Sequence, residues 1–163
     1  MTAVSRTHTR TVSRLASKQR LRLWIRLLRT ARAIEAELRE RLRVDFATTL
    51  PQFDVMAALA RNSTGMTMTE LSRFLMVSNG NVTGIIDRLV ADKLVARKAP
   101  PDDRRAFIVR LTPKGMAQFA HIAKAHEGWV DKLLSEFGSA ETQAMIWHLD
   151  GLASRIRNGG LRA

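Results

Sequence analysis

Residues 78–111 decide the fold. They read Ser78-Asn79-Gly80-Asn81-Val82-Thr83-Gly84-Ile85-Ile86-Asp87-Arg88-Leu89-Val90, then Leu94-Val95-Ala96-Arg97, then Lys98-Ala99-Pro100-Pro101-Asp102-Asp103-Arg104-Arg105, then Ala106-Phe107-Ile108-Val109-Arg110-Leu111. Val82, Ile85, Ile86, Leu89 and Val90 recur at helical spacing, and Ser78 is a natural N-cap, so a helix is expected from Asn79 to about Asp92. The other face of that helix shows Asn79, Asn81, Thr83, Asp87 and Arg88. The period then shifts to short strand-like runs around a charged loop whose prolines cannot sit in a central ladder. That pattern predicts a hairpin with a long basic tip.

Working upstream, Met76-Val77-Ser78 reads as a tight turn, preceded by a short helix capped by Thr67 or Thr69 and running through Leu75. Before it, Pro51 opens a helix with Phe53, Met56, Ala57, Leu59 and Ala60 facing inward, ended by Asn62-Ser63-Thr64-Gly65. From Gln19 to Val44, Trp24, Leu27, Leu28, Ala31, Ile34 and Leu38 recur at helical spacing and predict a long amphipathic helix. Residues 1–17, poor in apolar side chains and rich in Ser, Thr and Arg, read as a flexible basic arm. Their composition also fits an organellar transit peptide, although the helix that follows reads as integral to the fold. Downstream, Thr112-Pro113 starts a helix that continues towards Phe137-Gly138, and Ser139 is expected to cap a last helix ending at Asn158-Gly159-Gly160.

The chain has 163 residues, about one domain on the usual prior of ~100–200 residues per domain. At 45% hydrophobic it can bury a core, and with 0 cysteines it is excluded from disulfide, thiolate–zinc, iron–sulfur and thiol-redox chemistry. No apolar run approaches the ~18–20 residues that span a bilayer, so no membrane association is expected. Lys+Arg 27 against Asp+Glu 15 leaves +12, a field that favours polyanions. The excess is lopsided: residues 1–43 carry +9, their only acids being Glu35, Glu37 and Glu40.

Two short helices joined by a tight turn and followed by a hairpin make a winged helix-turn-helix, so the fold class is mainly α with a small β-hairpin wing. The expected division is an arm at 1–17, helical dimerisation segments at 18–45 and 113–157, and a DNA-binding domain at 46–112. Ser78, Asn79, Gly80, Asn81 and Thr83 are small polar residues that let a helix N-terminus sink into a major groove, where Asn bonds adenine and Ser or Thr either base edge. Arg104 and Arg105 at the wing tip suit phosphates or a narrow minor groove. Trp24, Leu27, Leu28, Ile34, Trp129, Leu133, Trp147 and Leu152 leave apolar stripes on the first and last helices that a monomer would not cover, which argues for a dimer.

The residues Leu94-Val95-Ala96-Arg97, Asp103-Arg104-Arg105-Ala106 and Val109-Arg110-Leu111-Thr112-Pro113-Lys114-Gly115 resemble the wing signature of the MarR family of bacterial transcription regulators. Leu71-Ser72, Val77-Ser78 and Val82-Thr83-x-x-Ile86-Asp87-Arg88-Leu89 are similar to its helix-turn-helix, and the likeness covers about residues 19–157. The resemblance implies a cytoplasmic homodimer on double-stranded DNA, with a palindromic site, Asp103 bracing the wing, and Arg104 or Arg105 touching DNA. The DNA-binding residues expected on both grounds are Ser78, Asn79, Asn81, Thr83, Arg88, Arg97, Lys98, Asp103, Arg104 and Arg105.

The resemblance also implies release from DNA by a small aromatic or phenolic anion. Arg22, Arg26 and Arg29 stand at i, i+4 and i+7, with Lys18 preceding them at the same spacing. Such a row suits several phosphates, as on a coenzyme A thioester, with Trp24 and Phe53 flanking an acyl or aryl group. The same row also reads as a solvated face or as attraction to flanking DNA. A peroxide-sensing cysteine is impossible here. His121 and His126, five residues apart, lie roughly 140° around a helix and make a poor metal pair, so no cofactor or metal is expected. No Gly-rich phosphate loop or nucleophile with a base is apparent, so an enzyme is not the expected reading. The rival is a general nucleic-acid-binding architectural protein without an inducer.

Overall fold

The computed structural model describes residues 3–76, 78–98 and 107–159, with side chains from residue 16 onward except at Asn79. The elements are α1 (Ala3–Phe46), α2 (Leu50–Arg61), β1 (Met66–Thr67), α3 (Met68–Leu75), α4 (Asn79–Ala91), β2 (Val95–Lys98), β3 (Ile108–Leu111), α5 (Pro113–Leu133) and α6 (Ser139–Arg157). The fold class is the one expected, a mainly helical winged helix-turn-helix. Contacts group the chain into two units, residues 1–124 and 125–163.

Residues 1–17 read as a flexible basic arm in the sequence, whereas α1 begins at Ala3 and runs unbroken for 44 residues. The chain holds no proline or glycine before Pro51, and each residue added to an existing helix gains one backbone hydrogen bond. A shortage of apolar residues, the basis for reading an arm, limits packing and not helix formation. The helix stops where Ala47 turns left-handed, φ 48°, and Thr49 then caps α2 through a reciprocal box with Gln52.

In the first unit Leu38 and Leu42 of α1 join Val55, Met56 and Leu59 of α2, Leu71 of α3, Val82, Ile86 and Leu89 of α4, Val109 of β3 and Ile122 of α5 in one buried core. The strands form a three-stranded antiparallel sheet in the order β1-β3-β2, with Val95 opposite Leu111 and Met66 opposite Val109. The hairpin was expected; β1 was not, because two residues carry no periodicity. Gly65, at φ +88°, lets β1 approach β3: a Cβ there would lie 2.5 Å from the Arg110 Cγ and 2.7 Å from the Val109 carbonyl oxygen.

The start of α5 closes the unit. The Thr112 hydroxyl accepts from the Gly115 N–H at 3.0 Å, capping the helix, and donates to the Lys93 carbonyl at 2.8 Å. The Thr112 N–H donates to the Leu94 carbonyl at 2.9 Å, and Lys114 Nζ donates to the Asp92 carbonyl at 2.9 Å. Gly115 makes this approach possible, since a Cβ there would fall 1.9 Å from the Leu94 carbonyl oxygen.

In the second unit α6 has no buried side chain, and Trp147 is 71% and Ile156 61% exposed. The expectation that Ser139 caps this helix is corrected. Gly138 is the N-cap, and its N–H donates to the Glu141 carboxylate at 3.0 Å. This is the half of a capping box in which the N3 carboxylate accepts from the N-cap N–H, a bond that needs no hydroxyl at the cap.

Two glycine substitutions are expected to act with opposite sign. Gly115→Ala forces a methyl onto backbone and should destabilise by about 3 kcal/mol or more in urea unfolding. Gly84→Ala meets nothing within 4 Å and should stabilise by up to about 1 kcal/mol.

Candidate nucleic-acid interface

The reading head is α3, a turn, and α4. Thr67 caps α3: its hydroxyl accepts from the Glu70 N–H at 3.2 Å, and the Glu70 carboxylate accepts from the Thr67 N–H at 2.7 Å. That hydrogen bond holds the Glu70 carboxyl below its ordinary value. The cap is therefore intact at neutral pH and is lost as pH falls through the lowered pKa. Met76, left-handed at φ 54° and 93% exposed, ends α3 and makes the turn tight. Ser78 then caps α4, its Oγ accepting from the Asn81 N–H at 3.4 Å.

The expected DNA-contacting residues fall into three groups. Ser78, Asn81, Thr83 and Arg88 are exposed on α4 or at its cap, on the side opposite buried Val82, Ile86 and Leu89. Asn79 lies in the first turn of α4. Arg97 and Lys98 are on β2, and the Arg97 guanidinium donates to the Asp87 carboxylate at 2.5 Å, tying the strand to the face of α4. Asp103, Arg104 and Arg105 lie outside the described residues. The Asp87–Arg97 pair was missed by sequence reasoning. Its signal was present, since Asp87 was placed on the polar face and Arg97 at the end of the strand-like run from Leu94, but nothing in either spacing joins them.

A cleft of about 930 Å³ runs between the α1–α2 junction and α4, with Ala47, Thr49, Pro51 and Gln52 on one wall and Gly80, Asn81, Gly84 and Arg88 on the other. Added Cβ atoms at Gly80 and Gly84 would meet nothing, so fold packing does not require either glycine. Two interior glycines cost a helix about 0.8–1 kcal/mol each relative to alanine.

The expected effector residues do not come together within the chain. Phe53, expected to flank a ligand with Trp24, is only 8% exposed and packs its ring on Phe119, centroids 5.7 Å apart. On an amphipathic helix the inward face captures such a phenyl ring. Arg22, Trp24, Arg26 and Arg29 are exposed on α1, nine or more residues before Leu38, about 14 Å along the axis. Among the described residues no group of three or more His, Cys, Asp or Glu could hold a metal, and no helix is long and apolar enough to cross a membrane.

Comparison with known proteins agrees with this geometry. A family model described as the MarR family matches residues 48–106. The transcriptional activatory protein BadR of Rhodopseudomonas palustris is 38% identical over 86 residues, 52% of this chain and 44% of that protein, so the chain spans less than half the length of that relative. The crystal structure of a MarR family transcriptional regulator from Silicibacter pomeroyi superposes with a TM-score of 0.72 at 30% identity, covering 86% of this chain and 97% of that one. BpsR of Bordetella bronchiseptica, whose DNA binding is regulated by 6-hydroxynicotinic acid, superposes with a TM-score of 0.70 at 26% identity, over 81% of this chain and 98% of its own. A helix-turn-helix with a tied wing, matched by sequence and by fold over most of the chain, settles the family: this chain belongs to the MarR family of transcriptional regulators.

Proposed function

We propose that the chain acts in the cytoplasm as a homodimeric repressor that binds a pseudo-palindromic operator and leaves it when a small anionic effector binds. The observation that carries this reading is the exposed polar face of α4, with Asn81, Thr83 and Arg88 opposite a fully buried apolar face and β2 tied beside it by Asp87–Arg97. A helix so presented enters a major groove with its N-terminal residues on base edges and its strand neighbour over the backbone. The wing-tip residues Asp103, Arg104 and Arg105 complete the interface in this reading.

The dimer is supported by apolar side chains left in water: Trp24 at 58%, Trp147 at 71%, Leu149 at 50% and Ile156 at 61% exposure. A second copy buries such surface around a two-fold axis and sets two recognition helices about 34 Å apart. The effector is proposed as an aromatic acid or its coenzyme A thioester. The regulation of BpsR by 6-hydroxynicotinic acid supports the aromatic acid.

The test is fluorescence anisotropy on the DNA next to the chain's own gene. Asn81→Ala should cost about 1–3 kcal/mol on the operator and blur sequence preference. Binding that ignores sequence in the unsubstituted protein, and ignores every aromatic acid and thioester, would mean the architectural reading instead. Arg104→Ala or Arg105→Ala should weaken binding with a shallower salt dependence.

Asp87→Ala and Arg97→Ala should each weaken operator binding, while the double variant loses little more than either alone, because both remove one tie. Unfolding stability should move by only about 0–1 kcal/mol, since the pair is partly exposed. Additive losses in affinity would mean that the two residues act on DNA separately.

A further inference from the structure

The first acidic residue of the chain is Glu35, and the 34 residues before it hold nine bases. On α1 the bases Lys18, Arg22, Arg26, Arg29 and Arg32 are all exposed. At 100° per residue they fall within an arc of about 120°, shared only with Ile25 and Ala33. The four acids of α1 do not neutralise them: Glu35, Glu37 and Glu40 are engaged by Arg39, Arg41 and Arg43 at 2.5–2.6 Å, and Asp45 lies about 20 Å along the axis from Arg32. The row spans about 21 Å, and in the sequence Arg6, Arg10 and Arg14 extend the same four-residue step.

We propose that this face of α1 is a second, sequence-independent docking surface, and that its occupant is the duplex DNA flanking the operator. Length argues for a polymer: one guanidinium grips a phosphate bidentately, so a small effector needs only part of the row. A duplex presents about 12 phosphates over the same 21 Å. A lipid surface fits less well. An interfacial helix sinks its apolar face into lipid, whereas the apolar stripe of α1, from Trp24 through Ala31, continues into Leu38 and Leu42, which are buried in protein. Ala47, at the end of α1, lines the cleft with Gly80 and Asn81 of α4, so the row is carried on the same helix as one wall of that cleft. Once α4 is docked, flanking phosphates are the polyanion at highest effective concentration near the row.

The inference takes the location of the duplex from the operator reading above, but not the contact itself. The experiment compares the full chain with the variant carrying Arg22→Gln, Arg26→Gln, Arg29→Gln and Arg32→Gln. Glutamine keeps arginine's helix propensity, and circular dichroism checks that α1 persists. Affinity is measured across salt on an operator duplex of ~20 base pairs, on the same operator within ~50 base pairs, and on a scrambled ~50 base-pair duplex. The unsubstituted protein should bind the operator more tightly within ~50 base pairs than within ~20. The variant should lose that gain, with a salt slope on both long duplexes lower by about 3–4 for each protomer whose row is engaged, about 7 for the dimer, and unchanged affinity for the short operator. A variant with four lysines should retain the gain.

An unchanged slope on the long duplexes overturns the proposal. So does intact DNA binding with a lost response to a coenzyme A thioester, which would give the row to effector phosphates, or a loss confined to binding of phosphatidylserine vesicles. If the unsubstituted protein does not prefer operator to scrambled duplex, the operator reading fails, and the slopes on scrambled DNA still judge the row.

Discussion

The structure depends on one close approach: the first turn of α5 against the end of α4, where the Gly115 backbone lies on the Leu94 carbonyl. Lys93 turns left-handed there, φ 61°, and three consecutive carbonyls, of Asp92, Lys93 and Leu94, accept from Lys114 and Thr112. Asp92 is the C-cap of α4 and Lys93 and Leu94 are the two residues beyond it, so the clamp gives partners to backbone groups where the helix ends, the buried Leu94 among them. It also joins three directions at one point: the axis of α4, the outgoing strand β2, and the returning strand β3, whose Leu111 pairs with Val95. The angle between recognition helix and wing is set by this close backbone approach, the Thr112 N–H and hydroxyl bonds and the Lys114 ammonium together. The Asp87–Arg97 pair adds a side-chain tie on the exposed side of that joint.

That stiffness explains how a small interface reads DNA. The apolar side of α4 is committed to the core through Val82, Ile86 and Leu89, and β2 is fixed beside it. The polar face then meets a groove without reorganising. Placement of a preformed helix costs less conformational entropy than ordering a loop on arrival. In the proposed function the same logic separates roles along the chain, with base discrimination given to α4 and backbone contact to charge elsewhere.

Much of the reading head was legible in the sequence because its signals are local. Caps at Thr67, Ser78 and Thr112 precede apolar periodicity by a few residues, and the change of period after Val90 announces the strands. What was not legible is either non-local or ambiguous in period. Strand β1 has two residues and pairs with β3 more than forty residues away. Asp87 and Arg97 meet across the turn between α4 and β2. Phe53 sits on a helix whose apolar side was correctly placed, yet the ring it packs on, Phe119 of α5, is one that no spacing rule brings to it. Residues from Ala3 are helical because nothing breaks the helix, and apolar patterning is silent on that point. The cap of α6 passed from Ser139 to Gly138 because Glu141 stands three residues beyond the glycine.

The central claim is that two copies of this chain place two α4 helices in successive major grooves of one duplex. Hydroxyl-radical footprinting on the DNA beside the chain's own gene tests it most directly. The account predicts two protected patches on one face of the duplex, with centres about one helical turn, ~34 Å, apart. A single patch, or uniform protection regardless of sequence, would contradict it.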